Sequence, residues 1–411
     1  MSTRPSSAGT PGAARPLRIG VAAHADPEAP STWSGTPAGV IAGLRALGHD
    51  VVGLHATASP QVEKRVQQLL AVGYLPSTLR REPGLRAALA PARAAVRVSP
   101  AYARLGSLVM ARSLRGAGEL DLVVRMGTSF DLEHPRQVTF EDLTVAQALR
   151  TDWVDWRTAS ARARRGRLDH QRRVLEQAVA CTTATPWAAR SVIEDYGIDP
   201  AKVSAVGLGV NRITPPVDRD WSRPRFLFVG KDWEDKNGPV LVEAFARLHR
   251  ELPMATLDLV GHHPAIEAPG VTGHGFLRLS DPEAGRRMTE LFQRATCLVV
   301  PTTFEPAGIV HVEAAAAGIP SIGSALGGAA DMIGPSGVTV EPGSVDSLVD
   351  AMRCLADGAT AQAMGEAGLE RAGLFTWEKV AARILQAAGA MPRDDALWDG
   401  LFEVSAALAS G

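Results

Sequence analysis

The feature that most limits the fold is an alternation that occurs twice. From "LRIGVAAHA" (17–25) the chain passes through a loop to the helix-like "AGVIAGLRALGHD" (38–50) and the apolar run "VVGLHA" (51–56). Further strand candidates lie at 120–126, 136–140, 178–184 and 202–209, with helical segments between them. Residues 211–225, "NRITPPVDRDWSRPR", are rich in Pro and charge and carry little periodic pattern, which marks a linker. The alternation then restarts with "RFLFVG", "ATLDLVG", "TCLVVP", "PSIGSA" and "GVTVEP". Apolar runs alternating with helices build a parallel sheet covered on its faces. Two such runs predict an α/β protein of two Rossmann-like, doubly wound lobes facing a cleft, and 411 residues suit two domains. The expected divisions are a disordered tail (1–16), a first lobe (17–210), the linker (211–225), a second lobe (226–390) and a C-terminal helix (391–411) packing near the first lobe.

Charge and cysteine content narrow the partners. A net charge of −1 gives no global case for nucleic-acid binding. Cys181, Cys297 and Cys354 are far apart and form no CxxC pair, so neither a disulfide framework nor a zinc site is signalled and a reducing cytoplasm is expected. The polar N-terminus lacks the apolar core of a signal peptide, and no run of 18 apolar residues predicts a membrane span.

In sheets of this kind ligands sit beyond the carboxyl ends of the strands, so the loops there carry the chemistry. "TTFEPAGIVHVEAAAAGIP" (302–320) follows one such strand. Pro306–Gly308 suit a helix start and Gly318 followed by Pro320 a helix stop. Glu305 then lies at the cleft rim and Glu313 about two turns along the helix. A carboxylate there is either a cap or exposed charge, or it accepts from a sugar diol. His311, two residues before Glu313, points to a different face and reads as packing. Lys231 and Lys236 fall in the loop after the "FLFVG" strand, and Gly327–Gly328 open a helix after "SIGSA", a ready anion site.

With these residues in view, 225–340 resembles the C-terminal domain of retaining GT-B glycosyltransferases of family 4, through "FVGKDWEDKNG", "LDLVGHHP", "GHGFL" and E-P-x-G-x-x-x-x-E-A-x-A-x-G-x-P. The likeness extends to "FTWEKVAARIL" (375–385). The resemblance implies that Glu305, Ala307, Gly308 and Ile309 hold the donor sugar and Glu313 the ribose. It further implies that Lys236 contacts the diphosphate, with Lys231 where the family commonly has Arg, and that the base lies near Gly275 and Phe276. In the first lobe, which would take the acceptor, it implies a Gly-rich loop at Gly35 and Thr36. A residue near the reacting carbon is also implied; Asp142 is the best match, with Glu141 and His134 as rivals.

The implied reaction moves a sugar from a nucleoside diphosphate to a small-molecule, glycan or lipid acceptor hydroxyl with retention, by front-face attack. The nucleotide sugar is a co-substrate and no cofactor or metal is called for. Asp218–Arg219–Asp220 reads as solvated linker charge. A silent nucleotide-sugar binder and a sugar-nucleotide epimerase are the alternatives, whereas a Rossmann oxidoreductase lacks its G-x-G-x-x-G. Residues 80–115 carry eight arginines and one acid among Leu, Val and Ala, a pattern of peripheral membrane contact or of a solvated helical face. The arginines of 157–173 read as a second solvated face.

Overall fold

The computed structural model describes residues 15–57, 59–80, 84–151, 156, 159–278 and 280–402. Strands β1 (Arg18–Ala23), β2 (Asp50–His55), β3 (Leu122–Met126), β4 (Gln137–Glu141), β5 (Ala180–Thr183) and β6 (Val203–Ala205) form a sheet in the order β2-β1-β3-β4-β5-β6. Strands β7 (Arg225–Asp232), β8 (Thr256–His262), β9 (Val271–Gly273), β10 (Cys297–Val300), β11 (Ser321–Ser324) and β12 (Gly337–Val340) form a second, β12-β11-β10-β7-β8-β9. Every neighbouring pair is parallel. The winding reverses between β1 and β3 in the first sheet and between β7 and β10 in the second, and crevices for ligands open at such switch points.

The helices are α1 (Thr36–Ala46), α2 (Pro60–Leu79), α3 (Leu85–Arg97), α4 (Pro100–Ala117), α5 (Val145–Arg150), α6 (Ala161–Gln177) and α7 (Pro186–Glu194) in the first half. The second half holds α8 (Gly238–Glu251), α9 (Pro282–Arg294), α10 (Ile309–Ala316), α11 (Ala329–Ile333), α12 (Val345–Ala356), α13 (Gly358–Ala372) and α14 (Trp377–Ala387). Central strands such as β3 and β10 are buried along their whole length, which is why they read as unbroken apolar runs. On α8, Leu241, Ala244, Phe245 and Leu248 recur at helical spacing and pack on Phe226, Phe228, Leu257 and Leu259.

Four expectations need correction. First, α14 does not belong to the second lobe. Its Val380, Ala381, Ile384 and Leu385 share a core with Ile19, Val21, Val40 and Ile41. It lies so close to α1 that a Cβ on Gly39 would sit 2.1 Å from the Trp377 ring, and one on Gly43 2.1 Å from the Trp377 carbonyl oxygen. The return to the first lobe therefore starts with α14 and not after residue 390. Second, the stretch expected as a C-terminal helix holds, within 391–402, one 3-10 turn at Asp395–Leu397, with Leu401 and Phe402 on that same core. Residues 403–411, like residues 1–14 of the tail expected over 1–16, lie outside the described residues. Third, the linker is anchored. Asp218 and Asp220 are exposed, but buried Arg219 donates to the carbonyls of Phe292, Gln293, Ala317 and Gly318 at 3.1–3.3 Å. Fourth, α6 is not wholly solvated, since Arg167 and Gln171 are buried.

Candidate active site

At the β7/β10 switch point the loop after β7 carries Lys236 and the loop after β10 carries Glu305. Lys236 Nζ lies 2.5 Å from Glu305 Oε2, with side-chain exposures of 28% and 12%. The backbone fixes the acid in place. Glu305 N–H donates to the Leu326 carbonyl at 3.2 Å, and its own carbonyl accepts from Gly328 N–H at 3.0 Å. This bridge to the β11 loop depends on Gly327, whose φ is 109° and whose Cβ would lie 2.0 Å from the Glu305 carbonyl oxygen. Gly327→Ala is expected to cost about 3 kcal/mol through backbone strain and displacement of the Glu305 loop. A thermal melt checks this, and an unchanged midpoint would mean that the two loops are not coupled.

Gly308, left-handed at φ 77°, turns the chain into α10, so that Ala307, Gly308 and Ile309 lead from Glu305 into the helix's first turn. The first N–H groups of a helix have no partner within it. His311 fills the space below. A Cβ on Gly308 would lie 2.7 Å from its Cδ2, and one on Gly323 2.8 Å from its Cε1. Burial lowers its pKa to about 4, against the pull of Glu305, so the ring is neutral at pH 7. Glu313, farther along α10, is raised by burial and opposed by the charge and backbone N–H of Arg212 from the linker.

The other second-lobe residues are more scattered. Lys231 is exposed on β7 itself, not in the loop that carries Lys236. Gly275 and Phe276 follow β9, a three-residue edge strand too short to signal itself in sequence. Gly275 accepts from Gly261 N–H at 3.0 Å, and the Phe276 ring stacks on His262 at 4.4 Å. The helix opened by Gly327–Gly328, α11, has five residues, and its Asp331 accepts from Trp187 N–H at 2.8 Å. These glycines form the bridge to Glu305.

Across the cleft, the loop after β1 holds Trp33, Ser34 and Gly35 in succession at φ 47°, 53° and 82°. Non-glycine residues adopt this region at a cost that the surroundings must offset. Asn211 Nδ2 donates to the Ser34 carbonyl at 2.6 Å, and Trp377 Nε1 donates to Asn211 Oδ1 at 3.0 Å. Trp33 Nε1 donates to Asp142 Oδ2 at 2.5 Å, with its ring edge-on to Phe140. Gly35 stands out in sequence; Trp33, Ser34 and Asn211 carry no signal there. Thr36 is buried as the first residue of α1, away from solvent.

Asp142 follows β4. Burial pushes its carboxyl up to about 6, the Trp33 hydrogen bond opposes this, and the Glu305 charge adds to it. One carboxylate from each lobe therefore feels the other across the cleft. Its rivals separate by position. Glu141 ends β4 with its carboxyl pushed up to about 8, by burial first and by Asp142, against Arg125. His134 precedes β4 at the opposite end of the strand, its ring nitrogens 2.9 and 3.1 Å from the Arg136 and Leu120 carbonyl oxygens, and so drops out of the cleft.

Residues 223–357 match the family described as "Glycosyl transferases group 1". This part of the chain is a group 1 glycosyltransferase domain. The chain is 28% identical over 248 residues to D-inositol 3-phosphate glycosyltransferase of Kribbella flavida, covering 54% of this chain and 58% of that one. It is 30% identical over 217 residues to glycogen synthase of Mycobacterium tuberculosis, covering 47% and 50%. It thus spans a little over half the length of the curated relatives it matches. Among solved structures, sucrose-phosphate synthase of Thermosynechococcus elongatus superposes with a TM-score of 0.58 at 19% identity, over 90% of this chain and 98% of that one. WaaG, a glycosyltransferase involved in lipopolysaccharide biosynthesis, gives 0.59 at 16%, over 89% and 99%. The fold is therefore GT-B, and Lys236, Glu305 and Glu313 all lie within the group 1 domain.

Proposed function

We propose that the protein is a glycosyltransferase that moves a sugar from a nucleoside-diphosphate sugar to an acceptor hydroxyl with retained configuration and without a metal. The observation that carries this is the Lys236–Glu305 pair at the β7/β10 switch point of a group 1 domain, facing Asp142. On donor binding the pair separates. Glu305, with the backbone of Ala307, Gly308 and Ile309, takes the sugar hydroxyls, and Lys236 takes the leaving diphosphate, with Lys231 nearby on β7. Preformed charge of this kind is worth most where charge develops. Glu313 accepts from the ribose, Gly275 and Phe276 flank the base, and the turn at Gly35 covers the donor from the first lobe. The names of the relatives, an inositol phosphate glycosyltransferase and a glycogen synthase, are in keeping with a polyol or glycan acceptor. Incubation with a panel of nucleotide sugars, with and without a chelator, tests the reading. Release of free nucleoside diphosphate is expected to survive chelation; nucleotide binding without any release would make the protein a silent binder.

The first lobe supports a membrane-facing acceptor. Exposed Leu69, Val72, Leu79, Leu85 and Leu108 on α2–α4 lie among exposed Arg80, Arg86, Arg93, Arg104 and Arg112. Apolar side chains set among arginines suit an anionic lipid surface. No helix among the described residues is long and apolar enough to cross a membrane. Co-sedimentation with anionic but not zwitterionic vesicles is expected, and equal recovery with both would remove the membrane from the reading. Cys181, Cys297 and Cys354 are all unpaired, in keeping with a cytoplasmic enzyme.

A further inference from the structure

The inward face of α6 meets β3 and β4 in a polar layer. Arg125 on β3 is 1% exposed and Arg167 on α6 is 8% exposed. Arg125 Nη1 reaches Gln137 Oε1 at 3.4 Å, whereas its Nε and Nη2 meet no partner, nor do Nε and Nη1 of Arg167. Glu141 is the buried acid nearest in charge to both, yet its Oε1 is also unpartnered, and burial raises its pKa. Asp131 contributes at longer range and lies 3.3 Å from His170 Nδ1. Beside it, at the β1/β3 switch point, His24 Nδ1 and Ser129 Oγ lie 3.3 Å apart and Gln171 donates to Thr128 Oγ1 at 3.0 Å.

Buried charge left without partners is costly, so two enclosed guanidiniums with open donors call for an anion. The free donors of Arg125, Nε and Nη2, are the adjacent pair that forms the side-on fork for two oxygens of one oxyanion. Glu141 ends β4 and Asp142 follows it, so this layer adjoins the strand end that reaches the cleft. We propose that Arg125 and Arg167 bind an oxyanion, phosphate or carboxylate, carried by the acceptor. The word "acceptor" rests on the transferase reading; the anion site does not.

The test uses the full chain with nucleoside diphosphate at saturation, so that the donor site is filled, and at constant ionic strength. Inorganic phosphate and malonate are titrated separately and followed by thermal shift and calorimetry. Saturable binding of at least one is expected, and which one identifies the group. Arg125→Met and Arg167→Met should each weaken it about tenfold or more, with nucleoside-diphosphate affinity held within about twofold. Each removes buried donors that have no acceptor, so the anion-free midpoint should hold or rise even though Arg125→Met gives up the contact with the Phe130 ring. No saturable binding beyond a chloride control overturns the inference, as does unchanged anion affinity in the variants. Should a Met variant fail to fold, Arg125→Lys, which keeps the charge and loses the fork, decides by the same criterion. Anion binding without sugar transfer would leave this site standing and sink the transferase reading; transfer without anion binding would do the reverse.

Discussion

Glu305→Ala is expected to lower sugar transfer by about 10²–10³-fold while the protein stays folded and nucleoside diphosphate binds within a few-fold of its original affinity. The fold should survive because the structural work at this position is done by the backbone, through the bonds to Leu326 and Gly328, which alanine retains. Lys236 loses its partner but is partly exposed, so water replaces the carboxylate at small cost. On the proposed reading, the lost function is the carboxylate's grip on the sugar. The variant should also change a residue it does not touch. The Glu305 charge is one cause of the raised Asp142 pKa, so that pKa should fall, and with it the acidic limb of any pH profile set by Asp142. Steady-state kinetics with a nucleotide-binding titration checks the first part. If the protein unfolds, or turnover persists, Glu305 is a scaffold residue.

Asp142→Asn should stabilise the protein at pH 7 and slow the reaction. The folded-state pKa of about 6 lies above the ordinary 3.8, so the folded protein binds more protons than the unfolded chain between these values. Stability contributed by the protonated form is present below pH 4 and is lost as pH rises through 6. About two units correspond to about 3 kcal/mol at most, and partial solvent contact reduces this to about 1–3 kcal/mol. Asparagine keeps the carbonyl that accepts from Trp33 Nε1 and removes the charge, so the gain should be full at pH 7 and absent near pH 4. Transfer should fall by about 10²-fold if Asp142 lies against the reacting carbon, a range common for a positioned side chain. Equal melting curves at both pH values would show that the carboxyl is not held against burial, and unchanged turnover would move the reacting centre elsewhere.

The architecture was legible because parallel strands buried on both faces leave long apolar runs that helices must separate. The same logic explains what escaped. β9 is three residues at a sheet edge and cannot show a period. The stripe of Val380, Ala381, Ile384 and Leu385 announces that α14 is buried but not against what; its partner, α1, lies at the other end of the sequence. At the site, Lys236, Glu305 and Glu313 could be placed because each has a fixed offset from a strand end. The turn at Trp33 and Ser34 could not, since nothing in a tryptophan or a serine announces a left-handed backbone; tertiary bonds from Asn211 and Asp142 impose it. Arg167 stayed hidden for the opposite reason. A helix dense in arginine reads as wet all round, and which single arginine turns inward depends on the sheet beneath.

The return of α14 to α1 also sets an order of assembly. Synthesis runs from the N-terminus, and domains ordinarily fold in that order. Here the strands β1–β6 precede the second sheet, but Gly39 and Gly43 find their packing partner only once Trp377–Ala387, which follows that sheet, has been made. The second sheet and its helices are contiguous and can close sooner. The lobe that comes earlier in the sequence is thus the one closed later, and a nascent chain released before Trp377 leaves the first lobe without its closing helix.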